Sequence, residues 1–165
     1  MKRIFFTVIL FITLSFSVSA ESDGWWEFHS EFDLYISLKA GAEYHYNDSF
    51  GLRGSLGACT LSPSQISYTL VGISHFQAPE KPFQLDLQYG LIQAVFDVIA
   101  PSPESGPYAY WVLGPCLAVG YRNPKGHCFR IRGGGGLGFG YDWGAWEKPS
   151  FMPNVGIEYG YAFRK

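Results

Sequence analysis

The chain has 165 residues and a formal net charge of −2, and it carries no run of basic residues, which excludes an electrostatic nucleic-acid binder. Beyond its first twenty residues no stretch approaches the ~18 continuous apolar residues of a membrane-spanning helix. Yet 18% of the residues are aromatic and 20 are Gly, a composition that fits strands, tight turns and crowded interiors better than helices.

Residues 1–20 read as a secretory signal peptide. Lys2 and Arg3 form a basic start, Ile4 to Leu14 is apolar but for Thr7 and Thr13, and Val18-Ser19-Ala20 supplies the small residues of a cleavage site before Glu21. A retained membrane anchor is the competing reading, and the run is short for it. No Cys follows the cleavage point, so the pattern is not that of a lipid-modified N-terminus. Residues 21–165 are of a length for one domain.

Phe32 to Tyr46 alternates throughout, with Asp33, Tyr35, Ser37, Lys39, Glu43 and His45 on one face and apolar residues on the other. Asn47-Asp48-Ser49 supplies turn chemistry, and Phe50 to Thr60 resumes the pattern, so the two runs form a hairpin. The start is open to three readings: the run from Phe32 is split by a tight turn, Trp25–Ser30 forms a short first strand, or one long strand leaves a barrel incomplete. Trp25 and Trp26 suit interface anchors, with burial in a soluble core as the alternative.

Gln65 to His75 is the next strand, with Val71 and Ile73 out of phase, which predicts a bulge or a fully buried end. After the turn Ala78–Pro82, Phe83 begins a strand running to about Val98 with a phase change near Gln93. Pro101–Pro107 is a loop. Tyr108 to Arg122 follows, and Pro115, which has no N–H to give to a ladder, predicts a bulge there. Asn123–Gly126 is a turn and His127 to Tyr141 a strand. Asp142 to Ser150 is a loop holding Trp143 and Trp146, and Asn154 to Phe163 is the terminal strand, with Val155, Ile157, Tyr159, Tyr161 and Phe163 on one face.

The polar faces of these strands carry Asp33, Glu43, Asp86 and Glu158 against Lys39, Arg53, Arg130 and Arg132. They also carry many Gly and Ala residues. A solvated outer face has no need of small residues, whereas the interior of a narrow barrel does. With the export signal, this predicts an all-β fold: a closed antiparallel transmembrane β-barrel of about eight strands, with the charges inside as a salt-bridged plug and the apolar faces toward lipid. The turns at Asn47–Ser49, Pro79–Pro82 and Asn123–Gly126 fall on the periplasmic side, and the connections near 61–64, 99–107 and 141–149 fall outside. Glu104, Trp143 and Trp146 mark the exposed tips, as contacts for a surface ligand or as solvated residues and anchors.

The C-terminal stretch resembles the assembly signal of bacterial outer-membrane barrels, with Asn154, Gly156, Tyr159, Tyr161 and Phe163 in its places. The hairpin Tyr44–Arg53 resembles the strand-turn-strand unit of the small outer-membrane barrel families, those of outer membrane proteins X and W and of the outer membrane protein A transmembrane domain. The resemblance implies an outer-membrane address, membrane lipid and the barrel assembly machinery as partners, and a structural or surface-interaction role. It does not imply one activity.

Other functions find less in the residues. Ser30 beside His29 and Ser74 beside His75 fall on opposite strand faces, so neither is a ready nucleophile–base pair. No nucleophile elbow or His-Glu-x-x-His motif is present, and the four-Gly run 133–136 lacks the Lys-Ser/Thr of a phosphate loop. The expectation is of a non-enzyme without cofactor, with His45 in a structural hydrogen bond beside Glu43. Some small outer-membrane barrels of similar size modify lipid, and a narrow pore is a further alternative. A soluble periplasmic barrel binding an apolar ligand is the runner-up: it would turn its aromatics into a cavity. Cys59, Cys116 and Cys128 match no zinc spacing and read as small buried side chains, with one disulfide and a free thiol as the other possibility.

Overall fold

The computed structural model describes residues 24–34, 37–60, 64–78, 81–97, 108–142 and 145–163. The expected signal peptide, Tyr35, Glu104 and Trp143 lie outside the described residues. Nine strands form among the described residues: β1 (Trp25–Asp33), β2 (Ser37–Asn47), β3 (Phe50–Cys59), β4 (Gln65–His75), β5 (Phe83–Asp97), β6 (Tyr108–Arg122), β7 (His127–Asp142), the two-residue β8 (Ala145–Trp146) and β9 (Ser150–Phe163). Every long strand pairs antiparallel with its chain neighbours, and β1 pairs with β9 to close the sheet on itself. The result is an eight-stranded up-and-down barrel, with β8 a small flap on the β7–β9 connection.

Closure leaves the eight long strands no free edge, so each is paired on both sides. The connections at 48–49, 76–82 and 123–126 share one end of the barrel with both termini of the described chain, and this is the turn end. The connections at 34–36, 60–64, 98–107 and 143–149 share the other, the loop end.

The first hairpin combines two of the expected alternatives. Trp25–Asp33 is a strand, and the run from Phe32 is split after it. The bulge expected at Pro115 is absent: the register of β6 against β7 is continuous from Tyr108 to Arg122, and only the pairing of Gly114 and Pro115 with Gly136 and Gly135 drops out. The proline's missing N–H is absorbed by a local gap in the pairing, where Gly114, Gly134 and Gly136 let the two backbones approach closely. A Cβ on Gly136 would lie 2.5 Å from the Leu113 carbonyl carbon and 2.8 Å from the Gly114 Cα, an approach that only glycine permits. The irregularity falls instead on β5, between Leu91 and Gln93, where the alternation changes phase. Val71 and Ile73 need no bulge of their own. They continue the inward series of Ser67, Thr69 and His75 and are fully buried.

The outer wall is apolar. Leu38, Leu56, Leu70, Leu113, Leu117, Ile131, Leu137 and Ile157 are all more than 40% exposed. Aromatic groups gather at each end of it: Trp26, Tyr44, Tyr46 and Phe50 near the turn end, and Tyr68 with Phe96 and Trp111 with Trp146 near the loop end.

Candidate functional site

Alternation sends every second residue inward, and each of β1, β2, β3, β5, β6, β7 and β9 places at least one charged side chain there. All eight sequence-assigned charges, Asp33, Lys39, Glu43, Arg53, Asp86, Arg130, Arg132 and Glu158, are buried at 1% exposure or less. They are joined by Glu27, Glu31 and Arg122, which the sequence reading did not assign. Among the described residues the buried interior thus holds six acids against five bases.

The network has three levels. Toward the loop end, Lys39 reaches Asp33 at 2.8 Å and donates to Thr69 Oγ1 at 2.8 Å and Gln93 Oε1 at 2.9 Å. In the middle, the Arg53 guanidinium bridges two carboxylates, Glu43 and Glu158, at 2.6 Å each. Arg132 lies 3.1 Å from Glu31 and 3.4 Å from Glu158, and Gln88 donates to Glu158 at 3.0 Å. At the turn end, Glu27 accepts from Arg122 and, at 2.7 Å, from Arg130. Charged groups removed from water persist only when paired in this way.

Between β4, β5 and β6 the interior filling changes character. Val71, Ile73, Ile92, Val95, Tyr110, Val112 and Cys116 form an apolar cluster there. Cys116 and Cys128 are buried, Cys59 is half-buried, and none of the three is in a disulfide.

The turn end is built around two histidines. Trp25 stacks on His45 with ring centroids 3.6 Å apart, and the Arg122 guanidinium lies over the Trp25 ring at 5.5 Å. His45 Nδ1 is 3.1 Å from His75 Nε2, and His75 Nδ1 is 2.7 Å from Asp86 Oδ1. Trp25 is thus half-buried as a lid over the interior, while Trp26 packs on Tyr44 outside.

His29 and Ser30 take opposite faces: His29 is buried, with Nε2 2.9 Å from Glu31 Oε1, and Ser30 is exposed. His75 is likewise buried beside Asp86, while Ser74 approaches Tyr89 outside. On β9, Asn154 and Gly156 face inward and Tyr159 outward. Tyr161 is half-buried, its ring 4.9 Å from that of His127, and Phe163 is in register with Trp26 of β1. Trp146, 68% exposed, leans on Trp111 and Tyr141.

No family model and no curated protein sequence matches this chain. Among solved structures it is similar to the N-terminal β-barrel domain of Pseudomonas aeruginosa OprF, with a TM-score of 0.52 and 17% identity, covering 85% of this chain and 98% of that one. A chain from the de novo design of transmembrane β-barrels aligns with a TM-score of 0.45 and 12% identity, over 87% of this chain and 98% of its own. The first likeness shows the fold: a closed eight-stranded antiparallel β-barrel.

Proposed function

We propose that this chain is a small outer-membrane β-barrel protein whose role is structural or lies in surface interaction through its loop end. The observation that carries the reading is the inverted polarity of the wall. Arg53, Arg130, Arg132 and Lys39 are among the largest fully buried side chains, while twenty-two large hydrophobic residues are exposed. A soluble barrel holding an apolar ligand would reverse that arrangement, and a row of exposed leucines and isoleucines far exceeds what a soluble monomer shows. The OprF barrel is an example of the same fold.

Eight strands enclose an interior only wide enough for side chains, and here paired charges, glutamines and an apolar cluster fill it. The reading is therefore of a closed barrel, not a solute channel. Asn154, Gly156, Tyr159, Tyr161 and Phe163 would be read by the assembly machinery, and Trp146 would face the outside.

The test is heat-modifiability combined with fractionation. Mature protein refolded in detergent should migrate differently when unboiled and boiled, and the cellular protein should fractionate with outer membranes. A water-soluble protein without a mobility shift would overturn the proposal.

A further inference from the structure

We infer that Glu43, His45 and His75 form a binding site for a divalent transition-metal ion of the zinc class at the turn end of the barrel. The three side chains are at most 7% exposed and arise from adjacent strands, β2 and β4 flanking β3. Their ligand atoms all lie within 4.8 Å of one another. Glu43 Oε1 is 3.3 Å from His45 Nε2 and 3.4 Å from His75 Nε2. Tetrahedral zinc with bonds of about 2.0–2.1 Å separates neighbouring ligand atoms by about 3.3–3.4 Å. Two imidazoles and one carboxylate are the donor set such an ion takes when its fourth position is left to water.

Four features around the cluster fit that role. Asp86 holds His75 Nδ1 at 2.7 Å, so the Nδ1–H points to Asp86 and the Nε2 lone pair turns toward Glu43; such a carboxylate–histidine contact is the usual outer support of a metal ligand. The two arginines that reach Glu43 bind its Oε2, Arg53 at 2.6 Å and Arg130 at 3.6 Å, leaving Oε1 aimed at the histidines. Gly51 clears the space: a Cβ there would sit 3.1 Å from Glu43 Oε1 and 3.3 Å from His75 Nε2. Finally, a recess of about 550 Å³ at the turn end is lined by Trp25, His45 and residues 46–49, so one ligand of the cluster borders open space beside the Trp25 lid.

Local charge favours a positive species at this place. Without an ion, if His45 Nδ1 donates to His75 Nε2 at 3.1 Å, His45 Nε2 presents a lone pair to two carboxylate oxygens, Glu43 Oε1 at 3.3 Å and Glu27 Oε2 at 3.6 Å; an ion takes the His75 Nε2 lone pair in place of that hydrogen bond. The buried interior has one acid more than it has bases. Either a proton on the histidines or a metal ion resolves both mismatches, and the experiment separates the two.

Refold the mature protein in detergent with and without Zn²⁺, remove free ion by gel filtration, and measure bound zinc by mass spectrometry, with heat-modified mobility confirming the closed barrel in each sample. One zinc per barrel is expected for the unaltered chain and for H29Q and H127Q. H45Q and H75Q should lose it, and Gly51→Ala should exclude it without removing a ligand. D86N should weaken binding about 10–100-fold. A closed barrel that carries no zinc, or one that keeps it in H75Q, overturns the site and leaves a proton-bridged histidine pair. Should the histidine variants fail to close, Co²⁺ spectra of the unaltered barrel decide. Intense ligand-field bands of four-coordinate cobalt support the site, and the weak spectrum of six-coordinate cobalt refutes it.

Discussion

Glu43 and Arg53 are direct cross-strand partners on β2 and β3, and the Arg53 Nη2 meets Glu43 Oε2 at 2.6 Å inside the barrel. The same guanidinium also holds Glu158 from the far wall. Arg53 therefore ties the β2–β3 hairpin to the last strand, and its replacement by Met would leave two carboxylates without their main cation. Loss of one partner of a buried pair costs about 3–5 kcal/mol. Arg53→Met should lower the unfolding free energy by that amount, read from urea titration in lipid vesicles by tryptophan fluorescence.

Leu117 lies in the middle part of β6 and is 47% exposed on the outer wall. In a lipid-facing wall, Leu117→Arg should destabilise the barrel by about 2–4 kcal/mol. On a soluble protein the same exposed change would stay within about 0.5 kcal/mol. Folding titrations into phosphatidylcholine vesicles distinguish the two, and a near-zero effect would contradict the lipid-facing assignment.

Gly133 and Gly136 belong to one glycine run and face different surroundings. A Cβ at Gly133 meets nothing within 4 Å, whereas at Gly136 it runs into the backbone of Leu113 and Gly114. Gly136→Ala should cost about 1–3 kcal/mol as overpacking, and Gly133→Ala should be tolerated within about 0.5 kcal/mol. The fraction of protein that reaches the heat-modifiable form reports both.

Trp25 covers His45, and His127 is the one histidine of the chain that is not buried. Carbethoxylation of the refolded barrel should therefore mark His127 alone, and Trp25→Ala should add His45 to the modified peptides. Early labelling of His45 in the unaltered protein would show that the indole does not close the turn end.

The legible part of this fold was its period. Lys39, Glu43, Arg53, Arg130 and Glu158 fall on the inward faces because each stands in an unbroken two-residue alternation, and the break in that alternation near Gln93 marks the place where β5 is irregular. The first hairpin was obscured for a specific reason. Three residues connect Asp33 to Ser37, so both ends of the connection face inward and the alternation runs through the turn without a break. No Gly, Pro or Asn marks it either. With β1 unplaced, Glu27 and Glu31 went unassigned, although Trp25, Glu27, His29, Glu31 and Asp33 alternate as regularly as any later strand. The Pro115 bulge failed because a proline's lost hydrogen bond need not shift a register when glycines opposite it absorb the gap. The Glu43–His45–His75 cluster was half visible, since Glu43 and His45 share a face. The partner on β4 depends on cross-barrel geometry that no local pattern carries.

The pairing of β1 with β9 bears on the order in which the molecule is assembled. Glu27 binds Arg122 and Arg130, 95 and 103 residues away, and Gln88 reaches Glu158 across 70. Glu27 meets neither arginine until β1 has docked on β9. In a lipid-facing barrel an unclosed sheet would leave that carboxylate without its two guanidiniums, a costly state. Joining the two ends and satisfying the acid of the first strand are thus a single event, which a barrel truncated before β9 could not complete.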